Sequence, residues 1–193
     1  MRPVIICALA LSSMASFATA ESLTIVLDFE GPAPARSVSE MKRELETILK
    51  GTGLTFDWRF KSQAAGESFA NLVLVKFRGR CVLEPMPWLY DERGPMAFTY
   101  STSGAVQPFS EVACEQVAAA ARSAMSGGDF AQADLLFGRA LGRVVAHELV
   151  HILAKSGTHG REGVAKTALS GASLISPDLR LSPADLERIY TQP

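Results

Sequence analysis

The run His147-Glu148-Leu149-Val150-His151, followed eight positions later by His159, takes up all three histidines of this 193-residue chain. It has the form HExxH. Residues four apart on a helix lie one turn above the other on the same face. His147 and His151 can therefore both turn an imidazole nitrogen to one zinc ion about 2.0–2.1 Å away. Glu148 points about 100° further round the axis, where its carboxylate can reach a zinc-activated water as general base. Catalytic zinc keeps three protein ligands and leaves the fourth position to water. His159 is the expected third ligand, because a glycine-led turn at Gly157 can bring it back towards the helix. Glu162 is the alternative, since a His₂Glu set also makes a working catalytic site.

Positioning these groups requires a buried helix and a sheet to hold it. Apolar side chains recur almost all round the segment from Asp129, a plausible N-cap, to about Lys155, which predicts a central helix with its C-terminal break at Gly157. Upstream, Leu23–Phe29 and Thr55–Phe60 read as strands, separated by a helix that opens at Ser37 or Ser39, runs to about Lys50 and closes at Gly51 and Gly53. Strand, helix, strand predicts a parallel pair with a right-handed crossover. Asn71–Phe77 reads as a third strand, its apolar run suiting an interior position buried on both faces. Pro85, Pro87 and Pro95 predict a surface loop. Ala97–Ser101 and Val106–Phe109 flank Ser103-Gly104 as in a hairpin, and an alanine-rich helix is expected from about Glu111 to Met125. Ser182-Pro183 opens a last short helix through Ile189. The predicted fold is α+β: a mixed sheet with a βαβ start, packed on the central HExxH helix, with a short C-terminal helix.

Composition narrows the function classes. Residues 1–20 read as an export signal, with Arg2 at the positive start, an apolar run from Pro3 to Leu11, and Ala18-Thr19-Ala20 as cleavage site. That run is shorter than the roughly 20 residues a bilayer span needs, so no membrane association is expected once the signal is cleaved. Residues 21–193 are read as one domain, long enough to bury its own core. Without Arg2 the chain carries 18 basic against 20 acidic residues, with no dense Lys/Arg cluster, and no nucleic-acid partner is expected. Two cysteines remain, Cys81 and Cys114, an even count that in an exported protein points to one disulfide, with two free thiols as the alternative.

The run HELVHILAKSGTHG, after a mixed α/β front half, resembles the metzincin clan of zinc metalloproteases, nearest in style to the matrixins. The strong similarity covers about residues 132–166, and LSPADLERIY is similar to the short closing helix of matrixin catalytic domains. The resemblance implies an N-terminal sheet carrying the active-site helix, a glycine that turns the chain, and a third histidine completing the zinc site. Two features depart from the clan. Seven residues, Ile152 to Thr158, separate the second and third histidines where the clan has five. No methionine follows Met125, so the clan's methionine turn would have Val164 or Ala165 as its apolar floor.

The function expected is a secreted or periplasmic zinc endopeptidase acting on a peptide or protein substrate. Zinc would sit on His147, His151 and His159, Glu148 would be the general base, and the Ala97–Ser101 strand or its neighbour would be the substrate platform. The competing expectation is a non-catalytic, zinc-stabilised exported binding protein on the same scaffold, motivated by the longer spacer and the missing methionine.

Overall fold

The computed structural model describes residues 21–83 and 94–191. The export-signal segment 1–20 and the loop expected around Pro85 and Pro87 lie outside them. The architecture is mixed α/β, with one five-stranded, mostly parallel sheet. Strands β1 (Ser22–Phe29), β2 (Thr55–Phe60), β3 (Leu72–Arg78), β4 (Ala97–Thr102) and β5 (Ala105–Ala113) stand in the order β2-β1-β3-β5-β4. β1 pairs parallel with both β2 and β3, β3 pairs parallel with β5, and β4 closes the sheet as an antiparallel edge. The helices are α1 (Ala35–Leu49), α2 (Lys61–Ala64), α3 (Cys114–Ser123), α4 (Ala133–Leu153), α5 (Gly171–Ile175) and α6 (Pro183–Tyr190). The expected βαβ start is present: α1 connects the parallel pair β1 and β2.

The buried face of the sheet follows from its register. Leu27 lies opposite Phe60 on one side and Val75 on the other, Val75 opposite Ser110, and Ser110 opposite Thr99. Strand side chains alternate between faces, so this row from β2 to β4 shares one face. Ile25, Leu27, Val73, Val75 and Phe77 on that face join Met41, Leu45 and Leu49 of α1 and Phe137, Leu141 and Leu149 of α4 in a single core. Thr99 therefore faces the helix layer.

β3 departs from its expected burial. It is central in strand order, but Val73, Val75 and Phe77 are buried while Leu74 and Lys76 are half-exposed and Leu72 is 37% exposed. Among the described residues the opposite face carries ion pairs instead, with Lys76 and Arg78 on Glu30 and Arg78 on Glu111. The apolar run was thus compatible with a strand covered by helices on only one side.

Helix boundaries differ for identifiable reasons. α1 opens at Ala35 after Pro34, because Ser37 is buried and donates its hydroxyl to the Asp134 carbonyl at 2.9 Å across the helix interface instead of capping. α3 begins only at Cys114, since Glu111–Ala113 continue the parallel pairing with Lys76–Arg78. A disulfide joins Cys81, just beyond β3, to Cys114 at the head of α3. Closing a loop with a sequence separation of 33 restricts the unfolded chain by about 3–4 kcal/mol in the chain-entropy account. Asp129 sits in a short 3₁₀ turn, Gly127–Gln132, where its carboxylate accepts from the Ser126 amide at 2.9 Å, and α4 starts four residues later than expected.

α4 is buried along most of its length, as its sequence predicts. Gly138 and Gly142 let α1 approach closely: a Cβ at Gly138 would lie 2.5 Å from the Ser37 carbonyl oxygen, and one at Gly142 2.7 Å from that of Met41. One turn before His147, the Arg143 guanidinium is fully buried and spans three helices. It donates to Glu44 of α1 at 2.8 Å, to the Ser173 carbonyl of α5 at 2.6 Å and to the Ser176 hydroxyl at 3.0 Å. Burial lowers the pKa of Arg143, and the Glu44 hydrogen bond opposes that shift. Deleting one partner of such a buried pair costs about 3–5 kcal/mol, because the other charge stays buried with its main counter-charge gone.

Candidate metal centre

His147 and His151 stand on α4 with their Nε2 atoms 3.2 Å apart. Each ring is aimed by a backbone carbonyl on its far side. His147 Nδ1 lies 2.9 Å from the Val164 oxygen, and His151 Nδ1 lies 2.8 Å from the Ser156 oxygen. A carbonyl oxygen only accepts, so both Nδ1 atoms carry the hydrogen and donate it. In the neutral rings both Nε2 lone pairs then point into the same small volume, where they repel unless a cation lies between them. Burial lowers the pKa of both histidines, against the effect of the two carbonyls, and favours the neutral, ligating form. This is the arrangement in which outer hydrogen bonds set the tautomer of a metal-binding histidine.

The Ser156 carbonyl is in place because of how α4 ends. Lys155 takes the left-handed conformation (φ 44°), its amide donating to Ile152 and the Ser156 amide to the His151 carbonyl. These are the two bonds of a Schellman termination. The break expected at Gly157 thus comes two residues earlier, on a lysine, a residue that ordinarily avoids this conformation. The chain then runs back over the helix and brings His159 to the pair. Its ring centroid is 5.2 Å from that of His147 and 4.8 Å from that of His151.

The three histidines could together hold a metal ion, with their ligand atoms all within 4.8 Å of one another. A tetrahedral ion with bonds of about 2.0–2.1 Å spaces its ligand nitrogens by about 3.3 Å. The α4 pair already meets that spacing, and His159 is exposed beside it. Glu162, the alternative ligand, is exposed and is not part of this group. Val164 and Ala165, expected as the apolar floor, are both buried, and Val164 meets His147 through its carbonyl.

Glu148 is buried beside the pair, and the Thr99 hydroxyl of β4 donates to its Oε2 at 2.6 Å. Burial raises the pKa of Glu148, while the Thr99 bond and the nearby His151 oppose the rise. The site opens into a cleft of about 480 Å³ bordered by β4, with Met96, Val106, Val144 and Leu169 among its apolar walls and His147, Glu148, His151 and His159 on its floor. Sequence reasoning named the strand of Thr99 but not the residue. It missed the Ser156 and Val164 carbonyls altogether, since any residue can offer one.

No family model matches the chain, and no curated protein matches it.

Proposed function

We propose that the chain is an exported, zinc-dependent endopeptidase of metzincin-like design. The observation that carries this reading is Glu148: a buried carboxylate held by Thr99, next to three converging imidazoles and opening on a cleft along an edge strand. A purely structural site is closed by four protein ligands and has no need of a base, so Glu148 speaks against the binding-protein alternative. Imidazole sets suit zinc, and His147, His151 and His159 would hold it. Zinc, when bound, polarises a carbonyl as a Lewis acid and lowers the pKa of water towards about 7.

The chain's own residues supply the remainder. β4, at the sheet edge, offers backbone groups to an extended peptide, which adds as a further strand and lies across the cleft. Glu148 takes a proton from the attacking water as the water oxygen bonds to the carbonyl carbon. It then delivers that proton to the amine nitrogen as the C–N bond breaks. Thr99 fixes the carboxylate from the strand side, leaving its other oxygen for this transfer. Val164 and Ser156 hold the ring hydrogens of the two helix histidines at Nδ1 and so turn each Nε2 towards the metal position. The Cys81–Cys114 disulfide fits an oxidising, secreted or periplasmic setting. Among the described residues no helix is long and apolar enough to cross a membrane.

The reading is tested on purified chain 21–193 with an unstructured protein as substrate. Hydrolysis is expected to stop with a zinc chelator and to return when zinc is restored. Hydrolysis that persists through complete removal of metal would refute the zinc-dependent mechanism.

A further inference from the structure

Two of the three histidines are held by α4, but His159 lies on a loop and owes its position to something else. The residues on either side of it lean on α6. Arg188 donates through Nη1 to the Thr158 carbonyl at 2.7 Å and through Nη2 to Asp185 Oδ1 at 2.5 Å. Asp185 is fully buried, and its second oxygen accepts from the Ser182 hydroxyl at 2.7 Å, so the guanidinium rests on a carboxylate that is itself held in place by a second bond. On the other side, Gly160 runs so close to this carboxylate that an added Cβ would lie 2.8 Å from Asp185 Oδ1. The Gly160 amide is spent on the Ala165 carbonyl at 2.8 Å. The loop is pinned immediately before and immediately after the histidine.

We propose that Arg188, oriented by Asp185, is the positioning residue for the third metal ligand, so that the C-terminal helix is a working part of the metal centre. The inference rests on the metal reading above. The physical reason is pre-organisation. A histidine on a free loop must be ordered when metal binds, and that loss of conformational entropy weakens binding. Here the ordering is done in advance by a planar, two-pronged donor that bridges one loop carbonyl and one buried carboxylate. Lysine, a single point donor, cannot hold both with the same geometry.

The test measures zinc affinity by competition with a chromogenic chelator, in the mature chain and in Arg188→Met, Arg188→Lys, His159→Ala and the two double variants that combine His159→Ala with each Arg188 change. Thermal unfolding of each metal-free variant is followed alongside. Arg188→Met is expected to weaken zinc binding about 10-fold, the lower end of the range for a group bonded to a ligand directly, because Arg188 holds the loop beside His159 and not its ring, and Arg188→Lys to recover part of that loss. In the His159→Ala background neither Arg188 change should weaken binding further, because the residue acts through His159. If Arg188→Met leaves Asp185 unpaired and does not fold, Arg188→Lys, which keeps the charge, decides by the same cycle. Cobalt(II) substitution gives a second readout: the visible bands of a four-coordinate site should weaken in Arg188→Met as they do in His159→Ala. Unchanged zinc affinity in the Arg188 variants, or an equal loss with and without His159, would overturn the inference while leaving the metal centre standing. A wild-type chain that binds no zinc would overturn both.

Discussion

Zinc-loaded protein carrying Glu148→Ala is expected to hydrolyse an unstructured protein about 10²–10⁴-fold more slowly than zinc-loaded wild type, the range in which a positioned general base contributes. The carboxylate neighbours two of the candidate ligands without being one of them, and its contact is with Thr99 on the facing strand. Removing it takes away the proton acceptor and leaves the three imidazoles, and the carbonyl partners of the two on α4, in place. Zinc content and unfolding temperature should therefore stay close to wild type. Glu148→Gln sharpens the comparison, because its amide oxygen can still accept from Thr99 while the group no longer takes a proton. Initial rates on a fluorogenic protein, with metal content measured on the same samples, provide the check. A Glu148→Ala enzyme as fast as wild type would remove Glu148 from the mechanism whatever the fold.

The second large effect is on the metal itself. His147→Ala or His151→Ala should lose most of the zinc, with affinity falling by more than the roughly 100-fold that marks the upper end for outer partners. Each substitution deletes one of two nitrogens held 3.2 Å apart and aimed by a dedicated carbonyl, and among the described residues the cluster that could hold the ion consists of the three histidines alone. His159→Ala should weaken binding to a smaller degree, because the α4 pair survives. Glu162→Ala should leave it nearly intact, since that side chain is exposed and outside the cluster. Metal analysis after dialysis ranks the four variants. Full zinc in both helix variants would end the metal reading, and a loss in Glu162→Ala with none in His159→Ala would exchange the third ligand.

What could be read from the sequence was what is local. The i, i+4 spacing of His147 and His151 is a property of any helix, and the apolar periodicity that announced α4 is equally short-ranged. The parallel pair β1 and β2 followed from chain order, because a strand–helix–strand run of this length closes in one way. The disulfide followed from counting cysteines in a chain expected to be exported. What escaped was set by tertiary register. Thr99 meets Glu148 only because β4 pairs with β5 so that Thr99 lies opposite Ser110 on the helix-facing side. β5 runs on to Ala113 because β3 offers it partners, and an alanine-rich stretch carries no sign of that. The end of α4 was misplaced because glycine normally marks the left-handed residue, and here Lys155 adopts it. Arg188 reaches a backbone carbonyl 30 positions away, and such a partner leaves no trace in residue type.

The most direct measurement of the central claim is exposure of zinc-loaded wild-type protein to a broad library of unstructured peptides, with products identified by mass spectrometry. The histidine cluster, the buried Glu148 and the open cleft along β4 predict cleavage at internal peptide bonds, abolished by a zinc chelator. A chain that holds one zinc per molecule and cuts no peptide in the library would contradict the enzyme and leave the binding protein on the same scaffold.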